Sequence, residues 1–201
     1  MSKVLTIGEA MGLLIAEEMG PLEEVEHFSR HVCGAELNYA VGMARLGNDV
    51  SYISKVGVDP FGKCICNFLK ANGIHDDYVW TDDDHMTGFQ MKEKVLEGDP
   101  TVANIRKHTA FSHFRPMDLS GIDWTGVDHL HVTGIPLALS ESCRETIYTL
   151  MMRLMVRACA FPLTPTCGPC SGNPRKSWPV SSTTPPSMPI SSCLASMKAG
   201  S

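Results

Sequence analysis

The chain has 201 residues, 43% of them hydrophobic and 19% charged, with a formal charge of −5. That length suits one domain around a single core, and an acidic balance with no stripe of Lys or Arg argues against a nucleic-acid partner, because nothing would neutralise a phosphate backbone. Residues 1–6 hold no signal-type apolar segment, and no apolar run reaches the length of a membrane span, so the expectation is a cytoplasmic chain without a membrane partner.

In chain order, Val4-Leu-Thr-Ile7 is an apolar run ending at Gly8, the pattern of a first buried strand. Residues 11–30 hold strand-like pieces and turn chemistry, including Gly20-Pro21. From 35 to 46 the apolar residues Leu37, Ala40, Val41 and Ala44 recur at helical spacing, and Gly47 stops the helix. A strand over 50–56 follows. The turn Gly57-Val-Asp-Pro-Phe-Gly62 leads into a second helix over 61–72, closed by Gly73, with Asp59 as its cap. Such alternation of strand and helix predicts an α/β fold with a parallel sheet. Residues 88–95 and 101–107 flank Glu97-Gly-Asp-Pro100 and read as a β-hairpin standing outside that sheet. A strand over 129–133 ends at Gly134, and Ser140 caps a helix expected to run to about Met155.

Cysteine usage suggests no framework. Cys33, Cys64, Cys66 and Cys143 read as packing thiols. Only Cys167-Gly-Pro-Cys170 has redox or zinc spacing, and with no second pair downstream no metal site is expected. The eight His, including His129 and His131 alternating on one strand, lack a ligand constellation and read as structural.

The last 45 residues, 157–201, differ from what precedes them. All 22 acidic residues lie at or before Glu145, and the tail holds 8 of the 13 prolines and 4 of the 8 cysteines without apolar periodicity. Such a segment does not offset its own ordering entropy.

Cys33-Gly-Ala-Glu-Leu-Asn38-Tyr-Ala40, followed by Gly47 and Val56-Gly-Val-Asp59-Pro-Phe-Gly62, resembles the N-terminal signature of the ribokinase-like (PfkB) carbohydrate kinases. Cys33 departs from the small Gly or Ala usual there. Within the family the chain is most similar to the 2-keto-3-deoxygluconate kinases, on Gly8-Glu-Ala-Met11, Gly34-Ala-Glu36, Ile105-Arg106-Lys107 and Thr133-Gly-Ile-Pro-Leu-Ala-Leu-Ser140. The resemblance implies a partial ribokinase-like fold over residues 1–151, with a parallel sheet, flanking helices and a small β lid from about 11–30 and 88–107.

It also implies ATP-dependent phosphorylation of 2-keto-3-deoxygluconate at its terminal hydroxyl, with Mg²⁺ on the nucleotide phosphates. The substrate-side residues would be Gly34, Asn38, Gln90, Asn104 and Arg106. Gly34 would let the backbone approach a ligand, Asn38 would offer donor and acceptor to hydroxyls, and Arg106 would grip the carboxylate of a sugar acid. Gln90 and Asn104 stand at hairpin positions within reach of the sugar. For Gly34, helix entry alone is the plain alternative; for Asn38, a bond to neighbouring backbone; for Arg106 beside Lys107, a solvated surface pair.

In the family the catalytic base is the Asp of a Gly-Ala-Gly-Asp turn, a motif absent from this sequence, so no catalytic residue is named. Shifting the reading frame in the tail permits Ile-Ser-Phe-Asp-Pro-Asn-Leu-Arg-Pro from residues 160–172 and Leu-Pro-Gly-Ile-Asn-Glu-Gly from 192–199. Residues 152–201 are therefore expected to be a frame-shifted, unstructured translation, and the chain to be inactive as a kinase. The alternatives are a PfkB kinase for a neutral sugar such as fructose or ribose, or a non-catalytic fragment that binds a sugar acid or dimerises through the lid.

Overall fold

The computed structural model describes residues 1–160, with side chains through Arg153. The Pro-rich tail, its frame-shift reading and the Cys167–Cys170 pair lie outside the described residues.

Two four-stranded sheets make up the fold. The first contains β1 (Lys3–Ile7), β4 (Asp49–Gly57), β5 (His75–Asp82) and β8 (Val127–Val132), ordered β5-β4-β1-β8. All its pairings are parallel, with Val4 opposite Val50 and Ile7 opposite both Ile53 and Val132. The second contains β2 (Met11–Met19), β3 (Phe28–Cys33), β6 (Phe89–Lys94) and β7 (Val102–Ile105), ordered β3-β2-β6-β7. Here β2 runs antiparallel to β3 and parallel to β6, and β6 and β7 form the hairpin read from the sequence.

The parallel sheet is covered on both faces, which is why its central strands read as apolar runs rather than alternating ones. On one side Val4, Val50, Tyr52 and Val56 meet Leu37 and Ala40 of α1 (Ala35–Arg45), and Ile65 and Leu69 of α2 (Pro60–Ala71). On the other, Leu5, Ile7 and Ile53 pack with Phe111 and Leu119 of two 3-10 turns, with Phe114 between them, and with Cys143, Ile147 and Leu150 of α4 (Glu141–Ala160). Burying side chains of this size contributes about 1.5–3 kcal/mol each before conformational entropy is charged against it.

Helix α2 also anchors the second sheet. Phe61 stacks on Phe89 with centroids 5.4 Å apart, and a Cβ on Gly12 of β2 would fall 2.3 Å from the Phe61 ring. Asp59 caps this helix as expected, accepting from the Gly62 amide at 2.9 Å. Its second oxygen accepts from the Thr87 amide at 2.7 Å, tying the helix start to the entry of β6.

Four elements escape the sequence reading: β5, α3 (Gly134–Leu139) and the two 3-10 turns, Phe111–His113 and Pro116–Gly121. Strand β5, His-Asp-Asp-Tyr-Val-Trp-Thr-Asp, is an edge strand rich in charge, and such edges lose the apolar signature because only one side is paired. Helix α3 is a six-residue turn containing a proline, too short to show a period. Helix α4 runs past Met155 to Ala160, through Leu154, Met155 and Ala158, which are good helix formers.

Candidate active site on the sugar side

The chain passes between the two sheets four times: at residues 8–10, at 34, at 83–88 and at 106–110. Three of these passages meet the fourth at one residue, Glu9: those at 83–88 and 106–110 reach its side chain, and that at 34 its backbone carbonyl. Glu9 follows the C-terminal end of parallel strand β1, the end of such sheets where ligands bind.

Glu9 is 2% exposed. Its Oε2 accepts from Arg106 Nε at 2.7 Å and lies 2.6 Å from Arg106 Nη2, while its Oε1 accepts from the Thr109 hydroxyl at 2.7 Å. Burial of this carboxylate is sustained by charge-assisted bonds from three N–H and O–H groups. Two neighbouring glycines make room for this residue, Gly34 for its backbone and Gly88 for its carboxylate. Gly34 has φ +152°, and a Cβ there would meet the Glu9 carbonyl oxygen at 2.9 Å; a Cβ on Gly88 would fall 2.7 Å from Glu9 Oε1.

The structure brings four of the five substrate-side residues expected from the sequence to this junction or its adjoining sheet. Gly34 touches Glu9, and Arg106 is bonded to it. Gln90 and Asn104 lie directly opposite each other on β6 and β7, so their side chains share one face of the second sheet. Cys33 lies nearby, its thiol donating to the Gly12 carbonyl at 3.9 Å; burial, against the opposing charge of Arg106, pushes the thiol up to about 11, so it stays protonated at neutral pH. Asn38 stands exposed one turn into α1, its backbone N–H donating to the Gly34 carbonyl at 3.0 Å.

Arg106 differs from the sequence-based picture in one respect. Its guanidinium is already paired, through Nε and Nη2, with a protein carboxylate 97 residues away. Glu9 and Glu36 stand in the motifs that carry the resemblance, but neither was expected at the site, though a carboxylate straight after an apolar strand was the available signal for Glu9. Glu36, 1% exposed in the first turn of α1, accepts from the hydroxyl of Thr133, which caps α3 through the Ile135 amide at 3.1 Å. Beside it His131 stacks on Tyr39 with centroids 3.7 Å apart and bonds the Thr6 hydroxyl at 2.9 Å. Burial lowers the His131 pKa against the opposing pull of Glu36. The Tyr52 hydroxyl is fully buried without a hydrogen-bond partner among the described residues, and burial first, then Glu36 and Glu9, holds it neutral.

A cavity of about 320 Å³ opens next to the junction, lined by Arg106, Lys107, His108, His113 and Ser140 among others. Its His113 stacks on His85 at 3.6 Å, and His85 in turn bonds Asp82 at 3.0 Å. Chemically, the junction offers amide donors and acceptors, a close backbone approach and a permanent cation, a set suited to a polyhydroxylated anion.

The sequence has no Gly-Ala-Gly-Asp turn, and no described group of three His, Cys, Asp or Glu is placed to hold a metal ion.

The two-sheet α/β architecture is that of the ribokinase-like sugar kinases. The crystal structure of a PfkB protein from Polaromonas sp. JS666 matches with a TM-score of 0.72 at 40% identity, covering 79% of this chain and 53% of that one. A sugar kinase from Pyrococcus horikoshii, solved in complex with ATP, matches with a TM-score of 0.66 at 30% identity, over 75% of this chain and 49% of that one. The profile described as "pfkB family carbohydrate kinase" matches residues 1–170, and the chain belongs to that family. A relative named 2-dehydro-3-deoxygluconokinase, from Bacillus subtilis (strain 168), is 40% identical over 148 residues, 73% of this chain and 46% of its own length. One of the same name from Thermoproteus tenax is 32% identical over 150 residues, 74% of this chain and 46% of its own. The chain thus spans about half the length of the curated relatives it matches.

Proposed function

We propose that this chain carries the sugar-acid side of an ATP-dependent, Mg²⁺-assisted kinase for 2-keto-3-deoxygluconate, and that as a 201-residue protein it binds the sugar acid without phosphorylating it. The observation that carries the reading is Arg106: a permanent cation fixed where the two sheets meet, next to amide side chains suited to hydroxyls. Glu9 takes one edge of the guanidinium, and a neutral sugar such as fructose or ribose would leave the Nη1 edge without an anionic partner, whereas a sugar acid offers it a carboxylate. The two relatives named 2-dehydro-3-deoxygluconokinase support the same substrate class.

In this reading Gly34 admits the ligand to the backbone, Asn38, Gln90 and Asn104 bond its hydroxyls, and Arg106 takes its carboxylate. ATP chemistry stays outside what these residues supply, so no phosphoryl-transfer step is assigned to them. A cytoplasmic location and self-association through the second sheet belong to the same proposal. So does the frame-shift reading of the tail, checked by sequencing the coding DNA across the codons for residues 150–157.

The test is direct. Purified chain is titrated calorimetrically with 2-keto-3-deoxygluconate and with fructose, and assayed for ADP release with ATP and Mg²⁺. Binding of the acid alone, with no turnover, is the expected result. Equal binding of fructose would move the assignment to a neutral sugar, and ADP release would overturn the claim of inactivity.

A further inference from the structure

We propose that Glu9 is a positioning residue for Arg106, holding the guanidinium at the junction of the two sheets so that its remaining edge is presented to an anionic ligand. The inference rests on the proposed role of Arg106 as the carboxylate-binding residue.

The geometry is specific. Both contacts from the guanidinium, Nε at 2.7 Å and Nη2 at 2.6 Å, converge on the same oxygen, Oε2. That arrangement uses one edge of the planar fork and leaves Nη1, with its two N–H groups, unused by any hydrogen bond among the described residues. The other Glu9 oxygen is held by the Thr109 hydroxyl at 2.7 Å, so the carboxylate itself does not rotate. Glu9 is 2% exposed while Arg106 keeps a quarter of its side-chain surface and lines the 320 Å³ cavity with Lys107 and His108. The anchor is thus buried and the presented group is not.

Backbone placement supports the same role. Gly34 and Gly88, on two different passages between the sheets, both leave out the side chain that would strike Glu9. Arg106 and Thr109 belong to another passage, directly after β7. Glu9 is therefore bonded to one passage and closely enclosed by two more, and the guanidinium it holds is fixed at the passage that follows β7. An arginine freed from this anchor would have to be ordered by the ligand, and that ordering is charged against binding. Removing the negative charge acts the other way, raising the attraction for anions. The inference commits to the first effect, because an unanchored guanidinium moves to water and away from the sugar face.

The experiment compares wild type, Glu9→Gln, Thr109→Val and Arg106→Ala in calorimetric titrations with 2-keto-3-deoxygluconate. Alongside these, ¹H–¹⁵N spectra follow the Arg106 Nε–H in the absence of ligand. Expected are loss of binding in R106A, a Kd raised about three- to tenfold in E9Q, as the ordering of one long side chain implies, and a slowly exchanging Nε–H present in wild type but lost in E9Q. Should E9Q fail to fold, T109V carries the test: a raised Kd at the wild-type thermal midpoint supports the inference, and an unchanged Kd overturns it. If R106A binds poorly but E9Q binds as well as wild type or better, the inference falls while the proposed function stands. If R106A binds like wild type, or wild type does not bind at all, both fall.

Discussion

Gly34 is constrained twice, and the two constraints add. Its φ of +152° lies where a side chain is strained, and the atom a Cβ would meet, the Glu9 carbonyl oxygen at 2.9 Å, is backbone that has no rotamer to escape into. Backbone strain of this kind costs about 1–3 kcal/mol. Gly34→Ala is therefore expected to lower unfolding free energy by about that amount in urea titrations, and to weaken sugar-acid binding beyond what stability explains, since Glu9 is displaced with it. A Gly34→Ala chain as stable as wild type would show that the β3–α1 passage has slack the structure does not suggest. At this scale the sequence named Gly34 and Arg106 but not the residue joining them. Local spacing exposes a glycine before a helix; it does not reveal that the backbone carbonyl of Glu9, far earlier in the chain, fills the space the glycine leaves.

Among the elements, α2 shows how one cap holds two sheets. Asp59 spends one oxygen on the Gly62 amide and the other on the Thr87 amide, and the Thr87 hydroxyl accepts from the Gly57 amide at 2.9 Å, closing a ring between β4, α2 and β6. Loss of an Asp cap costs about 0.5–2 kcal/mol, and here a second buried amide would be orphaned as well. Asp59→Ala should lower stability by about 2 kcal/mol, at the upper end of that range, and amide exchange should quicken at Thr87 as well as at Gly62. Faster exchange at Gly62 alone would mean that the Thr87 contact contributes nothing. The cap was legible in Asp59-Pro60 and the hairpin in its alternating residues, because both signals are local. Strand β5 was not, since its sequence is that of a charged edge, and its place beside β4 is decided by pairing rather than by composition.

For the whole molecule, acid sensitivity follows from the end of β5. Asp82 is 9% exposed, and burial alone would raise its carboxyl; Lys55 at 3.0 Å, the Asp84 amide and His85 outweigh that and hold it well below the usual carboxylate range. A carboxyl with a depressed folded pKa contributes stability above its unfolded value, near 3.9, and loses it as pH falls through the folded one. At neutral pH that contribution amounts to about 1–2 kcal/mol once water at the rim is allowed for. Lys55 lies on β4 and His85 stacks on His113 beside the cavity, so protonating Asp82 loosens the central sheet and the cavity wall together. Chemical denaturation of wild type and Asp82→Asn should differ by that amount at pH 7 and converge as pH falls below about 4. His131 adds a separate slope at higher pH. Its folded pKa is lowered by burial, so below its ordinary value near 6.5 the unfolded chain takes up a proton that the folded chain refuses, and stability declines there in wild type and Asp82→Asn alike. A gap between the two proteins that stays constant from pH 7 to pH 3 would show that the Asp82 contacts do not carry the acid response, leaving His131 and the surface carboxylates to account for it.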